Sequence, residues 1–281
     1  MKHVLSLSTL FPNAVNPRFG TFVARSLEAL AARGDWRVTV VNPIGLPPLA
    51  LGRYRGLSRL PPVAEEGGLV VHRPNFTLVP KIGARMNANA IFRATLPLLR
   101  QIHDQQPIDV IDAEFFFPDG PAAACLAQEL GLPFSIKARG ADIAYWGQRD
   151  FARDQMVGAA RQAGGLLAVS RELAAQMAAI GIPADKIKVH YTGLDRDLFR
   201  PLDHAGLRKT LGRELGFVIP DSAPLLATVG ALIERKGQDL AIGALAQMQE
   251  ARLILVGKGE DEGHLRRLAG DMGVADRVHF A

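Results

Sequence analysis

The chain has 281 residues, of which 48% are hydrophobic and 22% charged, with a formal net charge of +5 at pH 7. This composition suits a globular protein with one long domain or two medium ones, and we predict two. Its basic residues are scattered and only 6% of residues are aromatic, which argues against a nucleic-acid-binding protein.

Short β-rich segments alternate with helical patterns along almost the whole chain. Many of these segments are continuously apolar, as in parallel strands that helices cover on both faces. We predict strands at HVLSLS, RVTVVN, GLVVHRP, DVIDAE, FSIKA, GLLAVS and KIKVHYT and, after a polar break near residues 193–224, at LLATVG, RLILVG and RVHFA. The pattern predicts an α/β fold of two Rossmann-like, doubly wound domains that face a cleft, residues 1–200 and 201–281, the second incomplete.

Three segments in the first part of the chain are candidates for binding. A polar loop after the first predicted strand ends at Gly20, where a helix start would let a substrate approach the backbone; a plain surface loop is the alternative. Residues 43–67 are rich in Pro, Gly and Arg, and we predict a long surface loop beside the cleft. Residues 85–100 place three arginines among apolar residues, which indicates a packed helix or a basic helix on an anionic membrane.

The middle of the chain holds two acidic residues and the single cysteine. Glu114 lies at a predicted strand end and could face the cleft, and Asp119 is placed to cap a helix that begins with Gly120 and Pro121. Cys125 excludes an internal disulfide and a cysteine-based zinc site, and we expect a small buried core residue there. The seven histidines show no paired metal spacing, and we expect no metal.

The predicted strand FSIKA is followed by Arg139, Gly140 and Asp142. An arginine at the carboxyl end of a strand, followed by a glycine and an acid, could hold a sugar and a phosphate. Arg139 and Asp142 could instead pair with each other and shape the loop. We favour the ligand-binding interpretation.

The segment VGALIERKG, residues 229–237, joins a predicted strand to a predicted helix through two adjacent cations. We expect the helix to begin close to Gly230, so that its first amide groups favour an anion. Arg235 offers a planar fork for phosphate oxygens, Lys236 offers a mobile charge, and Gly237 permits close backbone approach. A solvated cationic turn is the alternative.

A second glycine-containing turn follows the predicted strand LILV. Gly257, Lys258 and Gly259 could form a backbone-lined turn for a base or a phosphate. The glycine spacing, G-x-G-x-x-x-G, fits the dinucleotide-binding fingerprint poorly. An ordinary tight turn is the competing interpretation.

Taken in chain order, these segments resemble motifs of glycosyltransferase family 4, whose members are retaining, nucleotide-sugar-dependent enzymes of the GT-B architecture. Arg139 stands where that family has the His of a His-Gly-x-Asp motif, Thr192 where it has Asn, and Ala231 where it commonly has Arg. The matching positions are Gly20, Arg139-Gly140-Ala141-Asp142, Val169-Ser170, Tyr191-Thr192-Gly193-Leu194-Asp195 with Phe199 and Pro201, Gly230 with Lys236-Gly237, and Val256-Gly257-Lys258-Gly259.

The resemblance implies transfer of a sugar from a UDP- or GDP-sugar to a polysaccharide, lipopolysaccharide or glycolipid acceptor. Arg235 and Lys236 would hold the diphosphate and stabilise charge on the leaving group, with Arg139 and Asp142 as further catalytic candidates. No metal or other cofactor is implied. The nucleotide-sugar would contact Gly20, Gly140, Gly230, Gly237, Gly257, Lys258 and Gly259.

Related enzymes continue past the position of Ala281 into a paired-glutamate motif. The alternatives are therefore an inactive, truncated fragment that binds a nucleotide or phosphorylated glycan and, with less support, a nucleotide-sugar epimerase or an NAD-dependent enzyme. No apolar run is long enough to span a membrane, and the N-terminus lacks a signal peptide. We predict a cytoplasmic protein and leave open a peripheral contact with the anionic inner face of the membrane.

Overall fold

The computed structural model describes residues 1–79, 83–202 and 204–281. Contacts divide the chain into two compact units, an N-terminal unit of Met1–Leu194 and a C-terminal unit of Asp195–Ala281. Both units are α/β structures with parallel sheets, as predicted from the alternation of apolar strands and helical segments.

Ten strands occur in the described part of the N-terminal unit. They are β1 (Lys2–Leu7), β2 (Trp36–Val41), β3 (Ile44–Leu46), β4 (Val63–Glu66), β5 (Leu69–His72), β6 (Asn75–Thr77), β7 (Val110–Ala113), β8 (Phe134–Ala138), β9 (Gly165–Ala168) and β10 (Ile187–Val189). Eight of them form one sheet in the order β10-β9-β8-β7-β1-β2-β5-β4, in which only β4 runs antiparallel to its neighbour. All seven strands predicted for this part of the chain are confirmed.

Helices pack on both faces of this sheet. The α-helices in the described part of this unit are α1 (Thr21–Ala32), α2 (Arg53–Leu57), α3 (Asn87–Gln105), α4 (Asp119–Leu130), α5 (Asp150–Gln162) and α6 (Arg171–Ala179). Because successive strand residues point to opposite faces, Val4 packs with Val23 and Leu27 of α1, whereas Leu5 belongs to the cluster that includes α3, α4 and α5. Burial of each such side chain contributes about 1.5–3 kcal/mol.

The prediction of a long surface loop at residues 43–67 is wrong. This segment contains β3, α2 and β4; β3 pairs in parallel with β6, and β4 pairs with β5. The Pro and Gly residues of the segment indicate local turns. Strand formation here depends on pairing with residues 69–77, and local composition does not show that pairing.

The expectation for Cys125 is also wrong, because this side chain is exposed on α4. The residues on either side of it, Ala124 and Leu126, are buried. Almost every position of α4 up to Ala127 is apolar, so no polar stripe in the sequence marks the outward-facing side of the helix.

The C-terminal unit contains a three-stranded parallel sheet in the order β11-β12-β13. The strands are β11 (Leu225–Val229), β12 (Arg252–Val256) and β13 (Val278–Phe280), and the helices are α7 (His204–Leu215), α8 (Gln238–Ala246) and α9 (Glu262–Asp271). Its core is formed by side chains such as Ile242 of α8, Leu253 of β12 and Leu265 of α9. The three strands predicted for this part are confirmed.

Within the described residues of both units, no helix is long and apolar enough to cross a membrane.

Candidate functional site

The loops that follow parallel strands meet at the carboxyl edge of a sheet, where ligands of α/β proteins collect. In the N-terminal unit these are the loops after β1, β7 and β8, and in the C-terminal unit the loops after β11 and β12. The predicted site residues lie in these two sets of loops.

A buried ion cluster lies at the edge of the N-terminal sheet. Glu114 is fully buried and accepts hydrogen bonds from Lys137 Nζ at 3.4 Å and from Arg139 Nη2. The Lys137 and Arg139 side chains are only 6% and 5% exposed. One carboxylate is therefore shared by two cations in a region from which water is excluded, and Glu114 does not face open space.

Arg139 is held from a second side by the ring of Phe22 in α1. Its guanidinium carbon lies 5.1 Å from the ring centroid, within the range of a cation–π contact. Its Nε also donates to the carbonyl oxygen of Glu114 at 3.3 Å. The Arg139 side chain therefore forms an internal ion pair with Glu114, and the Arg139–Asp142 pair expected as the alternative does not occur.

Asp142 binds the backbone instead of a side chain. Its carboxylate accepts the N–H groups of Phe116 at 2.9 Å, Arg139 at 3.0 Å, Gly140 at 2.7 Å and Ile143 at 3.1 Å. Burial raises the pKa of Asp142, while these amide donors act in the opposite direction. Asp142 thus fixes the loops after β7 and β8 in one shape.

Gly140 lies in this fixed loop with a positive φ of 110°. A Cβ atom at this position would meet nothing within 4 Å, so the backbone of Gly140 borders open space. The loop therefore has room for a ligand beside its backbone, and the binding role of Gly140 stays a prediction.

Asp119 does not cap α4 with its side chain as predicted. It lies inside the first turn and accepts hydrogen bonds from the N–H and the Oγ1 of Thr9, at 2.9 and 2.8 Å. Burial raises the pKa of Asp119 to about 7, although the Thr9 hydrogen bonds oppose this shift. The side chain ties the loop after β1 to α4, a contact between distant segments that a local capping pattern does not predict.

Gly20 begins α1, as predicted, and has a left-handed backbone with φ 71°. A Cβ atom there would lie 2.4 Å from the carbonyl oxygen of Leu10, so glycine is required for the loop to fold back on itself. This packing explains the glycine without a ligand, and its binding role stays a prediction.

The two glycine-containing loops of the C-terminal unit form one structure, because β11 and β12 are adjacent and parallel. The Gly230 N–H donates to Val256 O at 2.9 Å, and the Leu232 N–H donates to Lys258 O at 3.1 Å. A Cβ atom at Gly257 would lie 1.9 Å from Gly230 O. A Cβ atom at Gly259 would lie 2.0 Å from Leu232 O, so both glycines are required where the loops touch.

The helix after β11 begins later than predicted. Residues 234–236 form a 3₁₀ turn, Gly237 has a left-handed φ of 67°, and α8 starts at Gln238. The prediction of a start close to Gly230 is wrong because the hydrogen bonds to the β12 loop hold residues 230–232 outside a helical conformation. Arg235 and Lys236 therefore lie directly before the helix, beside its first amide groups.

Three cations of this edge, Arg235, Lys236 and Lys258, are exposed. In the described residues, none of their side chains has a hydrogen bond or an ion pair. The Cε atom of Lys236 lies 4.0 Å from the position of a Cβ at Gly230, so this side chain turns back towards the end of β11. These cations and the start of α8 can together receive an anion.

A cavity of about 240 Å³ lies beside this edge, between the starts of α8 and α9. Its lining residues are Ile233, Glu234, Gln238, Asp239, Asp261, His264 and Leu265. The three carboxylates in this lining disfavour a phosphate group, so the exposed cations are the better candidate for an anion site. No group of three or more metal-ligating side chains occurs in the part of the chain that the structure describes.

The structure thus brings the predicted residues together in two groups. Arg139, Gly140, Asp142 and the loop ending at Gly20 belong to the N-terminal unit, and the remaining seven residues share one edge of the C-terminal unit. Lys137 was not predicted as a partner of Glu114. The sequence signal for it is the two-residue spacing between Lys137 in β8 and Arg139 directly after β8, which favours the same side of an extended chain.

Comparison with known proteins identifies the family. Residues 19–193 match the family described as "Glycosyl transferase 4-like domain", and residues 216–281 match "Glycosyl transferases group 1". The chain belongs to the glycosyl transferase 4-like family. The predicted family resemblance is therefore confirmed.

Two relatives illustrate the relationship. A teichuronic acid biosynthesis glycosyltransferase of Bacillus subtilis, TuaC, is 26% identical over 91% of this chain and 65% of its own length. The lipopolysaccharide core biosynthesis glycosyltransferase LpsE of Rhizobium meliloti is 42% identical over 22% of this chain and 18% of its own length. The match thus spans less than two thirds of each of these relatives.

The crystal structure of HepE from Anabaena in complex with UDP matches this chain with a TM-score of 0.67 and 20% identity, over 100% of this chain and 68% of HepE. At this identity the match bears on the fold alone, and it confirms the predicted GT-B fold class.

Proposed function

We propose that this chain forms the acceptor-side domain, and part of the donor-side domain, of a retaining glycosyltransferase. The enzyme would move a sugar from a nucleoside diphosphate sugar to a polysaccharide, lipopolysaccharide or glycolipid acceptor in the cytoplasm. The observation that carries the proposal is the set of exposed cations without partners in the described residues, beside the start of α8. Relatives named for teichuronic acid and lipopolysaccharide synthesis, and a neighbour solved with UDP, support the substrate classes.

In this proposal the diphosphate binds across the loops after β11 and β12. Lys236, which turns towards Gly230, and Arg235 contact the phosphate oxygens, and Lys258 adds a third charge from the neighbouring loop. As the bond between sugar and phosphate breaks, negative charge grows on the diphosphate. Fixed cations and helix amides stabilise that charge more strongly than the ground state, which lowers the barrier.

Arg139 and Asp142 contribute differently in this proposal. Asp142 holds the backbone of Gly140 in place, and Glu114 and Phe22 fix the guanidinium of Arg139. Gly140 would then offer its open side to a sugar, at a sheet edge whose shape is set before any substrate binds.

Calorimetric titration with UDP and GDP tests the anion site. Replacement of Lys236 by Ala should weaken nucleotide binding at least about tenfold, because a charged hydrogen bond to phosphate is lost. Arg267→Ala, which removes an exposed cation from α9 in the same unit, is the matched control and should bind as the native chain does. Equal affinity of Lys236→Ala and the native chain would rule out the proposed diphosphate site.

Product analysis separates the alternative functions. Transfer of radiolabelled sugar to a glycan or glycolipid acceptor supports the glycosyltransferase. Nucleotide binding with no transfer supports a binding fragment, and interconversion of the nucleotide-sugar without any acceptor supports an epimerase.

A further inference from the structure

Two neighbouring surface segments of the N-terminal unit carry arginines but no acidic residue. Residues 9–22 contain Arg18, and residues 43–64 contain Arg53, Arg55 and Arg59, without a single Asp or Glu in either segment. The segments therefore present one sign of charge.

The two segments touch each other. A Cβ atom built on Gly56 in α2 would lie 3.2 Å from Val15 Cγ2, so α2 packs against the loop that follows β1. Asn13 Oδ1 accepts the N–H groups of Val15 and Asn16 at 3.0 and 2.9 Å, and these bonds give that loop a defined shape. We call the shared surface the rim patch and define it by Val15, Arg18, Phe19, Leu49, Leu51, Arg55 and Arg59.

The rim patch is both apolar and cationic. Leu49 is 75% exposed, Leu51 68% and Phe19 51%. The exposed side chains of Arg18, Arg55 and Arg59 make no ion pair with any residue that the structure describes. Large apolar side chains beside unpaired cations are costly in water and favourable at the surface of an anionic bilayer.

Helix α3, the segment for which the sequence left membrane contact open, lacks these properties. Its apolar residues Ile91 and Leu99 are buried in the core. Arg100 pairs with Glu129 at 3.0 Å, and just before the helix the guanidinium of Arg85 lies over the ring of Phe151. Little of this helix is left for a membrane.

We propose that the rim patch binds an anionic lipid surface. The arginines lie among the lipid headgroups, while Leu49, Leu51 and Phe19 enter the boundary with the acyl chains. A soluble anionic glycan would engage the arginines, but it would gain little from two exposed leucines. Lipid binding needs no sugar donor, so it can fail or succeed independently of the proposed transfer.

This contact would place the N-terminal sheet edge next to the membrane. The loop of the rim patch leads into α1, whose Phe22 contacts Arg139. A lipid-linked acceptor would then present its headgroup beside Gly140 without leaving the bilayer. This second step rests on the proposed function.

Vesicle co-sedimentation of the whole chain tests the proposal. We expect binding to vesicles of phosphatidylcholine with phosphatidylglycerol and none to phosphatidylcholine alone. The paired changes Leu49→Ser with Leu51→Ser, and Arg55→Gln with Arg59→Gln, should each weaken binding at least about tenfold. The control, Arg93→Gln with Arg100→Gln on α3, removes the same charge from the other candidate surface and should bind as the native chain does.

Three results would overturn the proposal: no binding of the native chain to anionic vesicles, equal loss of binding in the α3 control, or undiminished binding of the leucine variant. A further variant, Leu51→Trp, keeps an apolar side chain, and the fluorescence of the new tryptophan depends on the polarity of its surroundings. Its emission should shift to the blue on addition of anionic vesicles, and unchanged emission would count against insertion.

Discussion

Glu114 in the N-terminal unit and Lys236 in the C-terminal unit both lie at the carboxyl edge of a parallel sheet, but their surroundings are opposite. Glu114 is buried and shared by Lys137 and Arg139. Lys236 is exposed, like Arg235, and neither makes an ion pair within the residues that the structure describes. The charged side chains at these two sheet edges thus differ in their surroundings: one set is paired in the protein interior, and the other lies in contact with solvent.

The difference has a physical basis. A buried charge left without its partner destabilises a protein by about 3–5 kcal/mol, whereas an exposed ion pair contributes about 0–1 kcal/mol. The charges of the N-terminal cluster therefore stabilise the loops after β7 and β8. The exposed C-terminal cations contribute little to folding stability, so their side chains are available to bind a ligand. The following changes test this comparison.

The largest effect should follow from Glu114→Ala. Lys137 and Arg139 would remain as two buried cations without a counter-charge, and the free energy of unfolding should fall by about 3–5 kcal/mol in urea titrations. Glu65→Ala, at an exposed position of β4, is the control and should change it by less than about 0.5 kcal/mol. A loss below about 1 kcal/mol for Glu114→Ala would mean that water reaches the cluster.

A smaller loss is expected for Gly257→Ala in the other unit. The new methyl group would meet Gly230 O at 1.9 Å, so the loops after β11 and β12 must separate. Strain of this kind costs about 1–3 kcal/mol and should also weaken UDP binding. Gly263→Ala, inside α9 with only the Arg267 side chain nearby, should be neutral or stabilising. Equal stability of both variants would show that the loops do not pack as described.

The sequence predicted the strands well but not the contacts between them. GLLAVS and RLILVG were predicted as strands because their continuous apolar runs suit a sheet covered on both faces. The pairing of Glu114 with Lys137 and Arg139 depends on β7 and β8 being neighbours in register, which is a property of the tertiary fold. The same limit applies to the Thr9–Asp119 contact and to β3, whose partner β6 lies beyond two intervening strands and a helix.

The pH dependence of stability should reveal Asp119. Its pKa is raised from 3.8 to about 7 in the folded chain, so between these values the native state binds more protons than the unfolded state. Stability from this group is therefore present at low pH and is lost as pH rises towards 7, by at most about 1.4 kcal/mol per pH unit. Unfolding midpoints measured across this range should fall with pH.

Asp119→Asn isolates this contribution. Asp112, whose pKa is raised to about 6 by burial and the charge of Glu114, titrates in the same range in both proteins. The variant should therefore show a shallower decline than the native chain. Identical slopes would assign the decline to Asp112 and other groups.

The smallest change in stability should come from Lys236→Ala, the variant expected to lose nucleotide binding. An exposed side chain without a partner contributes little to folding, so the free energy of unfolding without ligand should stay within about 0.5 kcal/mol of the native value. With UDP present the two proteins should separate, because only the native chain gains stability from a ligand that binds its folded state. A large loss without ligand would show that Lys236, like Glu114, serves the fold, and the contrast between the two sheet edges would then fail.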